Sequence, residues 1–457
     1  MTLIKSISGI RGTIGGAIGN NLTPIDIVEC VAGYGTWIKL QKPETLKVIV
    51  GRDGRISGSL VSELAINTLM SLGIDVIDLG LSTTPTVEMA VTKHRAAGGI
   101  IFTASHNPKQ WNALKFLNHK GEFISSLDGQ DILDLISKKE IPFSEIEDLG
   151  SRSTDSLAIE EHMDAILALD IIDIELIRKN KFHCIIDAIN STGAISIPVL
   201  LDKLGCTYEI VNEKVNGEFA HNPEPLASNL TQLIEKVKAS KADIGIAVDP
   251  DVDRLALVCE NGEYFGEEYT LVACADFVLS HTPGPTVSNL SSTKALKDVS
   301  SRYSCAHQPS MVGEVNVVNT MKESGAVIGG EGNGGVIYPP LHYGRDALVG
   351  IAFILNLMAE KELRLSEIRQ SYPDYTIIKN KIPLKSEDAI AQLFNTLKLA
   401  FANEEINTID GLKIDFSNGW VHLRKSNTEP IIRVYAEAKN TDEAQKLIDK
   451  IMEHINE

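Results

Sequence analysis

Short apolar runs alternate with helix-like stretches through most of the chain. Residues 46–55 (LKVIVGRDGR) form a β-rich run that ends in polar and glycine residues, and a helix-like stretch (57–73) and a second apolar run (74–80) follow. Residues 183–212 repeat this order, and 285–304 begin a third version. Strand, loop, helix and strand in succession are typical of parallel α/β units. The pattern therefore predicts three related α/β domains.

The last 90 or so residues have a different pattern. A helix-like stretch (386–404) precedes three β-type runs, at 406–416, 420–425 and 430–438, and an amphipathic helix closes the chain. This order predicts an α+β domain of antiparallel strands with helices on one face. We expect domains at 1–150, 151–250, 251–367 and 368–457, with linker-type composition at 148–156 and 371–383.

Composition narrows the possible partners and location of the chain. The 457 residues carry a formal charge of −18, which argues against nonspecific binding to nucleic acid or anionic membranes. No run of about 18 apolar residues is present, and the N-terminus lacks a signal-peptide pattern, so we expect a cytoplasmic protein without a membrane span. The six cysteines form no C-x-x-C pair and are expected to be reduced. Both a monomer and a homodimer are compatible with the sequence.

A serine stands at the end of an apolar run in the stretch 100–116 (IIFTASHNPKQWNALKF). The run ends in Thr103, Ala104 and Ser105, and His106 and Lys115 follow. This is either a turn or a nucleophile presented to a cleft. The Gly-x-Ser-x-Gly elbow of hydrolases is absent, and we expect the adjacent side chains of Ser105 and His106 to diverge. A serine that carries a phosphoryl group would need no hydrolytic triad.

Three aspartates occupy alternate positions between two apolar runs in 244–258. Asp249, Asp251 and Asp253 would repel one another, and a divalent cation with a preference for carboxylate oxygen would neutralise them. An EF-hand loop is rejected because Arg254 stands where its sharp turn needs glycine. The remaining alternatives are a catalytic Mg²⁺ site and an exposed acidic turn.

Two further loops carry candidate binding groups. The loop between the β-type runs of 420–438 holds guanidinium, hydroxyl and amide donors that suit a phosphate: Arg424, Ser426, Asn427, Thr428 and Arg433. A solvated polar hairpin is the alternative. In 326–339, Glu331 lies among glycines that permit close backbone approach, which suits a carboxylate that binds sugar hydroxyls. The formal G-x-G-x-x-G match lacks a crossover helix, and a plain glycine turn is the alternative.

Together, these stretches resemble the α-D-phosphohexomutase superfamily. The segments TASHNP, DPDVDR, GGEGNGG and RKSNTEPIIR are similar to its phosphoserine, metal, sugar and phosphate loops, in the family's order. The segment SGIRG resembles its first active-site segment, which would place Arg11 in the cleft. Lys115 resembles the lysine assigned to acid/base or phosphate-contact work.

The resemblance implies a heart-shaped molecule of four domains around one central cleft. Phosphorylated Ser105 would donate its phosphoryl group to a hexose phosphate through a hexose bisphosphate intermediate. One Mg²⁺ would bind Ser105, Asp249, Asp251 and Asp253. Arg11, Lys115 and His106 would join Ser105 in the catalytic group. The substrate would contact Arg254, Glu331, Asn333 and the phosphate loop (Arg424, Ser426, Asn427, Thr428 and Arg433).

One departure from the family affects the predicted substrate. Many members have the sequence Gly-Glu-x-Ser-Gly-His in the sugar loop. In this chain, Asn333 stands in place of the serine and Gly335 in place of the histidine. The role of that histidine does not carry over. We favour conversion of glucosamine 6-phosphate to glucosamine 1-phosphate, with mannose or glucose phosphate as the alternative. A non-catalytic sugar-phosphate binding protein and a phosphatase are the competing classes.

Overall fold

The computed structural model describes residues 2–6, 9–138, 141–383, 387–425 and 431–454. These residues form four separate sheets, each with its own helices. Three sheets are mixed and the fourth is antiparallel, so the predicted architecture of three α/β domains and a C-terminal α+β domain is confirmed.

The first domain has a sheet in the order β1-β2-β6-β5-β3-β4-β7. Its strands are β1 (Ile4–Ser6), β2 (Gly9–Thr13), β3 (Lys47–Arg52), β4 (Asp75–Leu81), β5 (Gly98–Phe102), β6 (Trp111–Leu117) and β7 (Arg152–Thr154). Its helices are α1 (Pro24–Leu40), α2 (Gly58–Ser71), α3 (Thr84–Lys93) and α4 (Ser126–Lys138). Helix α1 begins where Thr23 and Asp26 form a capping box, which satisfies the first backbone N–H groups.

The second domain has the sheet order β11-β10-β8-β9 and the third has β13-β12-β14-β15. The second domain contains α5 (Ala158–Leu167), α6 (Ile174–Asn180), β8 (His183–Asp187), α7 (Gly193–Lys203), β9 (Thr207–Val211), α8 (Thr231–Ser240), β10 (Ile244–Val248) and β11 (Leu255–Cys259). The third contains α9 (Glu267–His281), β12 (Thr286–Asn289), α10 (Ala295–Arg302), β13 (His307–Ser310), α11 (Glu314–Ser324), β14 (Ile328–Glu331), β15 (Gly335–Ile337), α12 (Ala347–Lys361) and α13 (Leu365–Gln370).

The fourth domain is an antiparallel sheet in the order β16-β20-β19-β18-β17. Its elements are β16 (Thr376–Pro383), α14 (Glu387–Ala400), β17 (Glu405–Asn407), β18 (Leu412–Phe416), β19 (Gly419–Lys425), β20 (Ile431–Ala438) and α15 (Thr441–Glu453). Helices α14 and α15 pack on one face of this sheet, against alternate residues of β19 and β20. The prediction of helices on one face is confirmed.

Each of the two segments of linker-type composition contains an edge strand. Residues 152–154 form β7, which pairs with β4 at the edge of the first sheet, and 371–383 contain the whole of β16, an edge strand of the fourth. An exposed edge strand tolerates polar residues that a central strand would not, so a segment of linker-type composition can still pair in a sheet. The predicted bound at residue 250 falls in the loop between β10 and β11, two paired strands of one sheet. The domain bounds stay a prediction.

The three α/β domains share a feature that positions the candidate chemistry. In each sheet, one parallel strand also pairs with an antiparallel strand that follows it closely: β5 with β6, β10 with β11, and β14 with β15. The Ser105 loop, the aspartate loop and the loop after Glu331 make these connections. All three loops therefore leave the carboxyl ends of parallel strands, where α/β sheets commonly bind ligands.

The hydrophobic cores indicate which domains form a unit. One continuous cluster of buried side chains runs from Met163 to Tyr372 and joins the second and third domains. The fourth domain has a core of its own. Among the helices in the described part of the chain, none is long and apolar enough to cross a membrane.

Candidate active site

Ser105 lies at a tight turn directly after β5. Its φ is 47°, in the left-handed region that a non-glycine residue adopts only when its surroundings hold it there. The backbone N–H of Ser105 donates to Thr103 Oγ1 at 2.9 Å. Its hydroxyl donates to Asp249 Oδ2 at 2.6 Å, so the serine and aspartate loops meet as expected from the sequence.

Arg55 fixes the backbone of the serine loop through hydrogen bonds. This residue was not identified by sequence analysis. This buried guanidinium makes an ion pair with Asp53, at 3.0 Å from Nε to Oδ2. Its two terminal nitrogens donate to four backbone carbonyls of the serine loop and the start of β6: Ser105, Asn107, Pro108 and Trp111. The available signal was the pair Asp53 and Arg55 directly after β3, the strand beside β5.

We expect Arg55→Lys to lower kcat by about 100-fold, because misplacement of a reacting group by about 1 Å costs that much. A lysine ammonium cannot donate to four carbonyls in the plane of a guanidinium. Steady-state kinetics and thermal melting would measure the effect, with Arg52→Lys as the matched control. Unchanged kcat in the Arg55 variant would show that the loop keeps its geometry without this residue.

The three aspartates are fully buried, which is incompatible with an exposed acidic turn. Asp249 Oδ1 accepts the backbone N–H groups of Asp253 and Arg254. Asp251 Oδ2 accepts from Lys115 Nζ at 2.8 Å and from the Thr84 hydroxyl at 2.7 Å. The other oxygens, Asp251 Oδ1 and Asp253 Oδ1, are buried without a hydrogen-bond partner among the described residues.

These unpartnered oxygens fit a divalent cation. One carboxylate oxygen from each aspartate can be chosen so that all three lie within 4.8 Å of one another. A buried carboxylate oxygen without a donor is costly, and a hard cation such as Mg²⁺ offsets that cost. The Ser105 hydroxyl is already hydrogen-bonded to the same group, so a phosphoryl group on that oxygen would lie next to the cation.

Burial and neighbouring charges set the ionisation of this cluster. Burial, and then repulsion from Asp253 and Asp251, raise the pKa of Asp249 well above its usual value. Burial opposes ionisation of Asp251, but the charge of the Lys115 ammonium and the hydrogen bonds that Asp251 makes together outweigh burial and lower the pKa of Asp251. Burial opposes the charge of Lys115 in turn, yet attraction to Asp251 and Asp253 raises the pKa of Lys115. Lys115 is therefore a cation held against the aspartates.

His106 lies beside the serine. Its Nδ1 is 3.4 Å from Ser105 Oγ, so the expectation that the two side chains diverge was wrong. Ser105 Oγ contacts Asp249, and the charge of Asp253 acts on the His106 imidazole. Burial, and then the nearby guanidinium of Arg254, lower the pKa of His106 to about 3. The imidazole is consequently neutral near pH 7.

Glu331 ends β14 and is held by three donors. Its Oε1 accepts from Asn289 Nδ2 at 2.9 Å and from the backbone N–H of Gly313 at 3.0 Å, and its Oε2 accepts from Arg345 Nη1 at 2.8 Å. Asn333 closes the following turn, where its side-chain oxygen accepts from the Gly335 N–H at 3.3 Å. The stretch is thus more than a glycine turn, because it fixes a carboxylate at the sheet edge.

The arginines of the fourth domain lie directly opposite one another. Arg424 of β19 pairs with Arg433 of β20, and Arg433 pairs with Lys381 of β16. Residues opposite one another in antiparallel strands share a face, and like charges there are destabilising. Arg424 Nε lies 3.8 Å from Asp410 Oδ2. Alternation along the strands places this row opposite the helix-covered face. Lys381 was missed because its strand was taken for a linker.

Other predicted site residues lie around the same cleft. The charge of Arg433 adds to burial in lowering the pKa of Arg11 on β2, so the first and fourth domains approach each other there. Arg254 Nε is 3.8 Å from Asp253 Oδ1, and this buried nitrogen lacks a hydrogen-bond partner within the described ranges. Three predicted residues, Ser426, Asn427 and Thr428, lie outside the described residues.

Comparison with protein families matches all four domains. The models for domains I, II and III and the C-terminal domain of phosphoglucomutase/phosphomannomutase match residues 3–142, 160–262, 266–375 and 378–454. These ranges each contain one of the four sheets, apart from β7 and the first residues of β16. The family's domain order is therefore the order of the sheets.

Known proteins are similar over nearly the whole chain. A phosphoglucomutase/phosphomannomutase of Thermococcus kodakarensis is 34% identical over 96% of both chains. A phosphoglucosamine/phosphogalactosamine mutase of Sulfurisphaera tokodaii is 30% identical over 97% of both. The crystal structure of a family protein from Burkholderia thailandensis superposes with a TM-score of 0.87 at 25% identity, covering 99% of this chain and 96% of that one.

The chain belongs to the phosphoglucomutase/phosphomannomutase family, within the α-D-phosphohexomutase superfamily. It is a phosphohexomutase, an isomerase that moves a phosphoryl group between positions of a hexose phosphate. The fold and family expected from the sequence are confirmed.

Proposed function

We propose that this phosphohexomutase interconverts glucosamine 6-phosphate and glucosamine 1-phosphate, with Ser105 as the phosphoryl carrier. The observation that carries the proposal is the 2.6 Å hydrogen bond between Ser105 Oγ and Asp249, at the centre of a buried aspartate cluster. A phosphoryl group on Ser105 would pass to the free hydroxyl of the bound sugar phosphate. The resulting bisphosphate would turn around in the cleft and return its other phosphoryl group to Ser105.

The aspartates would hold one Mg²⁺ through one carboxylate oxygen each, together with the phosphorylated Ser105. When bound, Mg²⁺ stabilises negative charge that develops on the transferred phosphoryl group. Lys115 would stay protonated beside Asp251 and serve as a donor near the reacting hydroxyl, because attraction to the aspartates raises its pKa. This supports an electrostatic or acid role for Lys115 over a role as base.

Cationic residues would grip the phosphate that does not react. The row of Arg424, Arg433 and Lys381 places three cationic residues on one face of the sheet, and the charge of Arg433 reaches Arg11 of the first domain. The same row would accept both orientations of the bisphosphate, because it binds a phosphate and not a particular carbon of the sugar. Closure of the fourth domain over the cleft would exclude water, which otherwise hydrolyses the phosphoserine.

Arg424→Ala is expected to raise KM by about 10-fold to 100-fold with little change in kcat, since a charged hydrogen bond contributes about 1.5–3 kcal/mol. The interaction is equally present in ground and transition states, so its loss weakens binding of both. Initial-rate kinetics with the hexose 6-phosphate would measure the effect. Lys398→Ala, on the helix-covered side of the same domain, is the control. A loss confined to kcat would contradict the grip.

The choice of glucosamine phosphate rests on relatives with phosphoglucosamine mutase names. A second candidate is interconversion of mannose or glucose phosphates, which is favoured by the name of the 34% identical relative. A carboxylate accepts hydrogen bonds from hydroxyl and ammonium groups alike, so Glu331 is compatible with both. Isomerisation of glucosamine 6-phosphate, glucose 6-phosphate and mannose 6-phosphate, assayed side by side, decides between them. The proposal requires the highest kcat/KM for glucosamine 6-phosphate.

A further inference from the structure

Arg345 is a buried arginine that contacts both the aspartate loop and the sugar loop. Its Nη2 donates to Asp253 Oδ2 at 2.7 Å and its Nη1 donates to Glu331 Oε2 at 2.8 Å. Its Nε is 3.0 Å from Glu314 Oε2, at the start of α11. Each side of one planar guanidinium therefore faces a different carboxylate, and the three carboxylates come from the aspartate loop, the end of β14 and the start of α11.

The backbone at Arg345 is fixed by hydrogen bonds, as its guanidinium is. The backbone N–H of Arg345 donates to Glu314 Oε1 at 3.1 Å. The next residue, Asp346, is the N-cap of α12 and accepts the N–H groups of Leu348 and Val349. Arg345 is consequently held at both ends, which is what a residue needs in order to impose a geometry on its partners.

The sugar loop leaves room for this arginine at Gly335. A Cβ atom at Gly335 would lie 2.3 Å from Cδ and 3.0 Å from Cγ of Arg345. The backbone of Gly335 does not have a positive φ, so glycine is needed there for space and not for conformation. The arginine stem therefore occupies the volume that a side chain at position 335 would take.

The contact with Asp253 bears directly on cation binding. Arg345 occupies Oδ2 of Asp253, while Oδ1 is buried without a hydrogen-bond partner in the described part of the chain. Lys115 makes the equivalent contact with Asp251: its Nζ donates to Oδ2, and Oδ1 has no hydrogen-bond partner among the described residues. One oxygen of each carboxylate is thus fixed by a cationic side chain, and the other is left for a further ligand.

We propose that Arg345 is a positioning residue that fixes the metal-binding carboxylate Asp253 and the sugar-binding carboxylate Glu331 in one geometry. The inference rests on the proposed function, because it assumes that Asp253 binds Mg²⁺ and that Glu331 binds the sugar. It adds a single side chain that couples the two sites. Lysine cannot replace it, because one ammonium group lacks the planar fork that reaches three carboxylates.

The test uses two variants of the full-length enzyme, Arg345→Lys and Gly335→Ala. Both are expected to weaken Mg²⁺ affinity, measured by calorimetry without sugar, by about 10-fold to 100-fold, as for other partners of metal ligands. Both are also expected to weaken binding of glucosamine 1-phosphate, measured without Mg²⁺. Gly335→Ala retains the arginine and displaces it through the added Cβ, so it keeps the test informative if Arg345→Lys does not fold.

Arg369→Lys is the matched control, since Arg369 stacks on Tyr269 and contacts Phe265 and Asp374, away from these loops. It should leave both affinities at their wild-type values. The coupling would be overturned if both test variants lost affinity for only one of the two ligands, Mg²⁺ or glucosamine 1-phosphate. It would also be overturned if they lost affinity for neither. Both results would leave the proposed function of the wild-type enzyme untouched. A wild-type enzyme that binds no Mg²⁺ would instead overturn the proposed function, and this inference with it.

Discussion

Ser105→Ala is expected to lower the rate of hexose phosphate interconversion by at least about 10⁴-fold, because removal of a catalytic nucleophile costs that much or more. The Ser105 hydroxyl donates to Asp249, whereas the Thr84 hydroxyl in the same cluster donates to Asp251. Substrate affinity should remain close to that of the wild type, since the phosphate-binding arginines are untouched. Coupled assays and equilibrium binding would measure the two quantities.

The control for this variant is Ser137→Ala, at the exposed end of α4. Substantial turnover by Ser105→Ala when hexose bisphosphate is added would contradict the mechanism, because the sugar would then exchange phosphoryl groups without a serine carrier. Intact-mass analysis of the purified wild type adds a second criterion. A mutase carries one phosphoryl group on part of its molecules, and Ser105→Ala should carry none.

Asp251→Asn is expected to lower kcat by about 10³-fold and to remove its dependence on Mg²⁺, since a catalytic metal contributes several kcal/mol of charge stabilisation. The amide would keep the shape of the side chain but lose one negative charge. It would also leave Lys115 without its nearest carboxylate oxygen. Titration of activity with Mg²⁺ would measure the effect.

Asp131→Asn on the exposed side of α4 is the matched control, and it should behave as the wild type. Wild-type Mg²⁺ dependence in the Asp251 variant would mean that the buried aspartates serve the fold and not the reaction. Thermal melting separates these cases, because a purely structural role predicts a lower melting temperature without a change in the metal titration.

The sequence predicted the parts of the site whose chemistry is local. Ser105, the three aspartates and Glu331 each follow a short apolar run, so their place at the end of a strand could be read from neighbouring residues. Their convergence on one cleft was implied by the family resemblance, because the strands that carry them belong to three separate sheets. The family resemblance also implied that these loops form one active site for phosphoryl transfer. All four family models match the chain.

The residues that sequence reasoning missed act through contacts distant in the chain. Arg55 reaches carbonyls 50 to 56 residues away, and Arg345 reaches Asp253 at a separation of 92. No local pattern marks such a contact, because it depends on how strands and domains pack. Lys381 was missed for a different reason: polar composition was taken to indicate a linker, whereas pairing with β20 makes the segment a strand.

The central claim is that Ser105 carries the transferred phosphoryl group, and the most direct test follows that group. The enzyme is labelled with radioactive hexose bisphosphate. In one sample, the labelled residue is mapped by peptide sequencing, and in a second sample, unlabelled hexose 6-phosphate is added to the intact labelled enzyme. We predict that the label is on Ser105 and leaves with the sugar in a single turnover. Label on another residue, or its release as inorganic phosphate at the rate of turnover, would contradict the account.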